Sequence, residues 1–251
     1  MFSRNELLWG KDFQKSLKGK HVAVFGVGAV GGYVAEMLAR SGVGKLTIVD
    51  FDTVDTSNLN RQIIALHSNI GKKKVSEFKK RLRDINPDLE VRAVDDFFTE
   101  NSCAEIFSEP VDAVADAIDT IKSKIALLKY CHAHGIFVVS AVGAGNKLDP
   151  TKFVVREISQ IEKPKNAFTA NIIRILKKEG IEKGVVAVYS DEGVKPLEKR
   201  HSSETLTTKN GEEITFEKIT PGSISYVTAV SGCLCAHAII DYFKRLHEKN
   251  V

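Results

Sequence analysis

No two of the four cysteines, Cys103, Cys131, Cys233 and Cys235, stand at C-x-x-C spacing, so a structural zinc held by paired thiolates is not expected. None lies between residues 143 and 221, which removes a thiol nucleophile from that whole stretch. Cysteines used this sparingly fit reduced thiols in a cytoplasm. The first residues are polar and charged, so no secretory leader is expected at this end. No internal repeat is present. The charge imbalance is small, +4 over 251 residues. It allows a local basic patch, which Lys72, Lys73, Lys74, Lys79, Lys80, Arg81 and Arg83 supply, but no polycationic surface. Long uncharged runs are missing too, except residues 224–240, which hold no Asp, Glu, Lys or Arg. Ser, Thr, Gly, Cys and His237 interrupt that run, so it reads as a buried core helix and no membrane partner is expected.

What remains is an ordinary globular composition, 43% hydrophobic and 27% charged, in a chain long enough to bury a full core. Residues 1–18 are amphipathic, with Leu7, Leu8, Trp9, Phe13 and Leu17 marking a helical arm. Short apolar strands are expected at 21–25, 45–49, 90–94, 111–115 and 136–141. Helices alternate with them: one carrying Val30, Tyr33, Val34, Met37 and Leu38 on one face, one at 72–84 with its basic residues outward, a short one at 103–107 and one at 123–134. Such alternation implies an α/β fold, a doubly wound and mostly parallel Rossmann-like sheet. After Gly143 the pattern changes to a variable half. It has strands at 153–158 and 185–189, a helix at 168–178, a polar stretch at 191–221 read as a mobile loop, and a long helix at 223–246. The whole chain, 1–251, reads as one domain.

The most informative stretch runs from Val22 to Gln62. Gly26, Gly28 and Gly31 have G-x-G-x-x-G spacing between a strand and a helix. Two of these glycines let backbone approach a phosphate, the third lets the helix pack on the strand, and the helix N-terminus favours an anion. Asp50 follows at the next strand end, where a carboxylate suits ribose hydroxyls. NAD and ATP fit this pattern equally, so a dehydrogenase stays open at this point.

The residues beyond Asp50 narrow the choice. Asp50-Phe-Asp52, Ser57-Asn-Leu-Asn-Arg-Gln62, Gly71-Lys-Lys-Lys-Val75, Ile85-Asn-Pro87 and Asp116-Ala-Ile-Asp119 together resemble the ubiquitin-activating-like family, the ThiF/MoeB/HesA adenylyltransferases. The resemblance covers most of the chain. It implies ATP and Mg2+, and attack at the α-phosphate by a substrate carboxylate. By matching positions, Asp50 falls at the ribose and Asn58, Arg61 and Lys74 at the triphosphate, with Asp52 and Ser57 also among the nucleotide-binding residues. Asp119, beside Thr120, falls at the metal, and Arg4 at the phosphates of a neighbouring subunit, which makes a homodimer the expected assembly. A monovalent cation near the site stays open. The chemistry agrees: adenylation needs cations against the charge growing on pyrophosphate and a carboxylate to carry a metal. The plain alternatives are a surface ion pair for Arg61, a solvated lysine for Lys74, a helix cap for Asp119, a solvated Arg4 and a purely structural Asp116.

Departures within the family carry information. The paired zinc cysteines and the crossover-loop cysteine of many relatives are both absent. Cys233 and Cys235, two apart on a helix, fall on opposite faces and read as buried core thiols. A sulfur-transfer role, with a cysteine desulfurase or sulfur acceptor as partner, keeps only a small share. Arg4-x-x-Leu7-Leu-Trp-Gly10, Ser41-Gly-Val-Gly44, Ala141-Val-Gly-Ala-Gly145, Asp149-Pro150-Thr151, Tyr189-Ser190-x-Glu192 and Gly222-Ser-Ile-Ser225 resemble the tRNA threonylcarbamoyladenosine dehydratase subfamily. Glu162-Lys-Pro-Lys165 departs from it. That resemblance implies tRNA as the substrate. Its threonylcarbamoyl carboxylate is adenylated, and its own ureido group closes the ring with loss of AMP, so no enzyme nucleophile is needed. The rival substrate is the C-terminus of a ubiquitin-like or sulfur-carrier protein, and a non-catalytic nucleotide sensor is a further alternative.

Overall fold

A computed structural model describes residues 1–193, 200–207 and 213–249. Seven strands form the main sheet: β1 (His21–Phe25), β2 (Lys45–Val49), β3 (Glu90–Val94), β4 (Ala113–Asp116), β5 (Phe137–Ala141), β6 (Phe153–Glu157) and β7 (Val185–Ser190). Their order is β3-β2-β1-β4-β5-β7-β6, parallel throughout except for β6 against β7. The chain winds outward from β1 to β3, then returns to lay β4 on the other side of β1. The crevice between β1 and β4 is therefore the topological switch point, where open α/β sheets bind ligands.

β1 shows why the strands lack polar alternation. All five of its residues are buried. Val22 and Val24 enter one core, with Leu38, Leu46, Phe78, Ile239 and Phe243, while Ala23 and Phe25 enter a second core, with Phe98, Leu127, Leu128 and Leu176. Helices cover both faces. On the first lie α2 (Lys11–Leu17), α3 (Gly31–Ser41), α4 (Lys74–Ile85) and α8 (Ser225–Lys249); on the second lie α5 (Cys103–Ile106), α6 (Ile121–Ala133) and α7 (Ala167–Lys178). Each fully buried Leu, Ile or Phe contributes about 1.5–3 kcal/mol. α8 is long and apolar enough to cross a membrane by length and composition alone. Instead its apolar side, Val227, Cys235, Ile239 and Phe243, is buried in the first core. Gly232 lets α8 approach α3: a methyl there would lie 2.5 Å from the Val30 carbonyl oxygen.

Three expectations are corrected. The arm is two helices, α1 (Ser3–Trp9) and α2, broken at Gly10, whose φ of +86° ends the first. Phe13 and Leu17 are buried, but Leu7 and Leu8 are 87% and 83% exposed. The polar stretch 191–221 is not one loop: β8 (Arg200–Thr207) and β9 (Glu213–Thr220) pair as an antiparallel hairpin, and residues 194–199 and 208–212 lie outside the described residues. β-branched Thr205, Thr207, Ile214, Thr215, Ile219 and Thr220 suit strands better than a loop. Lastly, Cys233 is exposed while Cys235 is buried, because residues two apart on a helix face different ways.

Candidate active site

The glycine turn is built by backbone geometry. Gly26 follows β1 at a φ of +78° and donates to the Val49 carbonyl at 2.8 Å. A methyl at Gly26 would meet the Ala117 carbonyl oxygen at 2.8 Å, and one at Gly31 would meet the Gly26 carbonyl oxygen at 1.8 Å. Gly31 is thus required by the fold, as expected for the helix-packing glycine. Gly28 differs: its nearest neighbour would be the Gln62 amide at 3.5 Å, an ordinary contact. Nothing in the protein demands glycine there, so that face of the turn is left open. α3 then opens at Gly31 with its N-terminus toward the turn, which favours an anion.

Asp50 anchors the turn from β2. Its carboxylate accepts the Val27 N–H at 2.8 Å and the Asp52 N–H at 2.9 Å. It is 8% exposed. Burial pushes its carboxyl above the usual range, with the Lys74 ammonium pulling the other way. Asp52 turns to α4 instead: its carboxylate pairs with Lys74 Nζ at 2.7 Å, and its carbonyl accepts the Lys74 N–H at 3.0 Å. Val54 and Gly71 extend this ladder, Val54 N–H to Lys72 O and Gly71 N–H to Val54 O, both at 2.8 Å. That short antiparallel contact places Lys74 inward, against the expectation of an outward basic face.

The intervening segment is shaped by an Asx turn. Asp55 accepts the Ser57 N–H at 2.8 Å, and Asn58 Oδ1 accepts the Asp55 N–H at 3.1 Å, which buries Asn58 and leaves Ser57 exposed. Arg61 donates to the Ser57 carbonyl at 2.6 Å and to Asn60 Oδ1 at 2.9 Å. Among the described residues no carboxylate lies within ion-pair distance of it. Gln62, quoted in the motif without a role, is 8% exposed, and its Oε1 has no hydrogen-bond partner. A buried amide left unpaired costs about 1–3 kcal/mol, so it marks a site that a ligand or a water completes.

The opposite wall is the end of β4. Asp116 is structural: fully buried, it pairs with Lys124 Nζ at 2.5 Å and accepts the Ser140 hydroxyl at 2.6 Å and the Ile118 N–H at 3.1 Å. Beyond it Asp119 is exposed, with the Thr120 hydroxyl 3.5 Å from its Oδ1. Thr120, not Asp119, stands at the N-cap of α6. Among the described residues no three His, Cys, Asp or Glu side chains cluster as a metal cage. A single accessible carboxylate at a strand end still fits Mg2+, which keeps its waters and takes one or two carboxylates plus substrate phosphates.

Arg4 does not join this site in its own chain. Its neighbour Asn5 donates to the Arg40 carbonyl at 3.3 Å, at the far end of α3 from the glycine turn. The basic helix α4 is also less free than expected. Arg81 pairs with Glu36, Lys80 with Glu77 and Lys73 with Asp95. Burial pushes the Cys103 thiol to about 11 and the Cys235 thiol to about 12. Those two are inert core thiols.

A strand, a glycine turn, a helix and a buried acid on the next strand, set at the switch point of a doubly wound sheet, define a nucleotide-binding α/β protein. The chain belongs to the ThiF family, whose model matches residues 2–251. It is similar to the tRNA threonylcarbamoyladenosine dehydratase of Bacillus subtilis (strain 168), 42% identical over 252 residues, covering 100% of this chain and 97% of that protein. The crystal structure of E. coli tRNA N6-threonylcarbamoyladenosine dehydratase, TcdA, in complex with ATP matches with a TM-score of 0.85 at 30% identity, covering 100% of this chain and 96% of that one. The same enzyme in complex with AMP also gives 0.85. The molybdopterin-synthase adenylyltransferase of Escherichia coli (strain K12) is 34% identical over 141 residues, 55% of this chain and 56% of that protein.

Proposed function

We propose that the chain is an ATP-dependent tRNA threonylcarbamoyladenosine dehydratase, acting as one adenylating unit over residues 1–251. The observation that carries the chemistry is Lys74, 3% exposed beside the turn and paired, among the described residues, with an aspartate whose side chain is itself 41% exposed. An incoming polyphosphate can take over that lysine while Asp52 turns to water. In this reading Asp50 holds the ribose, and Asn58, Arg61 and Lys74 hold the triphosphate. The substrate carboxylate attacks the α-phosphorus, an O–P bond forms, and the α–β bond breaks to release pyrophosphate. The ureido group then attacks the acyl carbon, AMP leaves, and the ureido proton ends on phosphate. Asp119 would hold Mg2+, which would offset charge on the departing pyrophosphate. Nothing in this scheme calls on a monovalent cation.

The second reading, activation of a carrier protein's C-terminus, has less support, since similarity to the molybdopterin-synthase enzyme reaches only 55% of the chain. A homodimer is part of the proposal: exposed Leu7 and Leu8 beside Arg4 form an apolar arm that a second copy would cover. So is a cytoplasmic location, where tRNA and ATP are found. A sulfur-transfer partner is not favoured, because this reading needs no enzyme thiol: the ureido group of the substrate is the nucleophile. The test is incubation with ATP and threonylcarbamoylated tRNA, read by mass spectrometry. Loss of one water per modified nucleoside is expected. No loss, with ATP–pyrophosphate exchange stimulated instead by a small carrier protein, would overturn the proposal.

A further inference from the structure

A nucleotide occupies the glycine turn in this scheme, so the substrate carboxylate needs a seat of its own. A cavity of about 190 Å³ is lined by Asn146, Lys147, Leu148, Glu192, Ser223 and Ile224, together with Gly222. It adjoins the phosphate side of the crevice, because Ser223 O accepts the Asn60 amide at 3.0 Å and Asn60 Oδ1 accepts Arg61 at 2.9 Å. Its size is below the roughly 300–1,000 Å³ of pockets for drug-sized ligands, so it suits a side chain rather than a nucleotide.

The cavity is built rather than incidental. Asn146 has a φ of +58°, the one non-glycine residue in the left-handed region among the described residues. It is clamped there by a reciprocal pair: its Oδ1 accepts the Gly222 N–H at 2.6 Å, and its own N–H donates to Gly222 O at 2.8 Å. That turn directs Lys147 inward, where it is 2% exposed. The ammonium donates to the Glu192 backbone carbonyl, and among the described residues no carboxylate lies within ion-pair distance of it. The Glu192 carboxylate is already committed to the N–H groups of Leu148 at 3.0 Å and Asp149 at 2.9 Å. The Lys147 ammonium has three donors, and burial lowers its hold on the proton, which an anion in the cavity would offset. Leu148 and Ile224, 53% and 36% exposed, give the cavity an apolar lip.

We propose that this cavity seats the substrate's acyl group, with Lys147 holding its carboxylate and Leu148 and Ile224 flanking its aliphatic part. The proposal rests on the dehydratase reading. Lys147 acts here by binding, and Ser223, which lines the same cavity, is joined to Arg61 through Asn60.

The test compares the nucleoside threonylcarbamoyladenosine with its threoninamide counterpart, by calorimetry on the full chain. Loss of a charge-assisted hydrogen bond at a buried group corresponds to about 10- to 100-fold in affinity, so wild type should prefer the carboxylate by that factor. In Lys147→Gln the preference should shrink to about threefold or less, with ATP affinity unchanged, and Lys147→Arg should restore part of it. Equal binding of the two nucleosides by wild type, no binding of either, or an undiminished preference in Lys147→Gln would overturn the proposal. If Lys147→Gln does not fold, the wild-type comparison and Lys147→Arg decide. Absence of water loss from modified tRNA with wild type would instead refute the dehydratase reading, whatever the nucleosides do.

Discussion

Two buried lysines pair with aspartates beyond the ends of sheet strands, and their surroundings set them apart. Lys74 and Lys124 are 3% and 0% exposed, and each pairs with an aspartate. The Asp52 side chain is 41% exposed, so that pair opens to the cleft. Asp116 is fully enclosed, and Lys124 has further bonds to Ser140 Oγ and the Ala141 carbonyl, each at 3.2 Å. The first pair can exchange its anion for a ligand without stranding a charge. The second cannot, because among the described residues Asp116 is the one carboxylate paired with Lys124. Similar chemistry is therefore locked into the architecture in one pair and, under the proposed function, serves binding in the other.

Breaking the enclosed pair should give the largest effect. Lys124→Ala should cost about 3–5 kcal/mol of stability, since it strands a buried carboxylate. Asp116→Asn combined with Lys124→Met should recover most of that loss in chemical denaturation. A full loss persisting in the double variant would show that packing, not charge, dominates that wall. Lys74→Ala should do the reverse. It leaves a half-exposed Asp52 rather than an enclosed carboxylate, so it should cost less stability than Lys124→Ala, while kcat/KM falls about 10²- to 10³-fold, as for removal of one preorganised charge-stabilising group. Unchanged activity in that variant would remove Lys74 from the proposed site. The glycine turn gives the smallest and sharpest contrast. Gly31→Ala should destabilise by about 1–3 kcal/mol, because its methyl meets the Gly26 carbonyl at 1.8 Å. Gly28→Ala should leave the melting temperature near wild type and weaken ATP binding, measured by titration of the nucleotide. If both variants unfold alike, the ligand-facing assignment of Gly28 fails.

Much of the nucleotide half is legible in the amino-acid sequence. Val22–Phe25, the glycine turn and Asp50 follow from local rules of period and spacing, and they fold as those rules say. The variable half is legible only in outline. The segment 191–221 is polar on average, which hides the strand-forming residues on either side of Asn210-Gly211, itself a hairpin signal. Lys74 stands out by resemblance and not by pattern, because Lys72, Lys73 and Lys74 are indistinguishable in sequence. Only the ladder between 52–54 and 71–74 buries one of the three. Lys147 carries no signal at all, since its cavity depends on Gly222 and Glu192, far away along the chain.

By itself the sequence determined the layered α/β fold, the position of the glycine turn and the lack of any thiol between residues 143 and 221. These depend on local conformational preference, side-chain period and composition, all of which act over a few residues or none. The tertiary structure alone decided which lysines lose their water and which carboxylates remain to meet them. Desolvation is set by atoms that the fold brings from distant segments, so Lys74, Lys124 and Lys147 acquire three different partners from one side-chain chemistry.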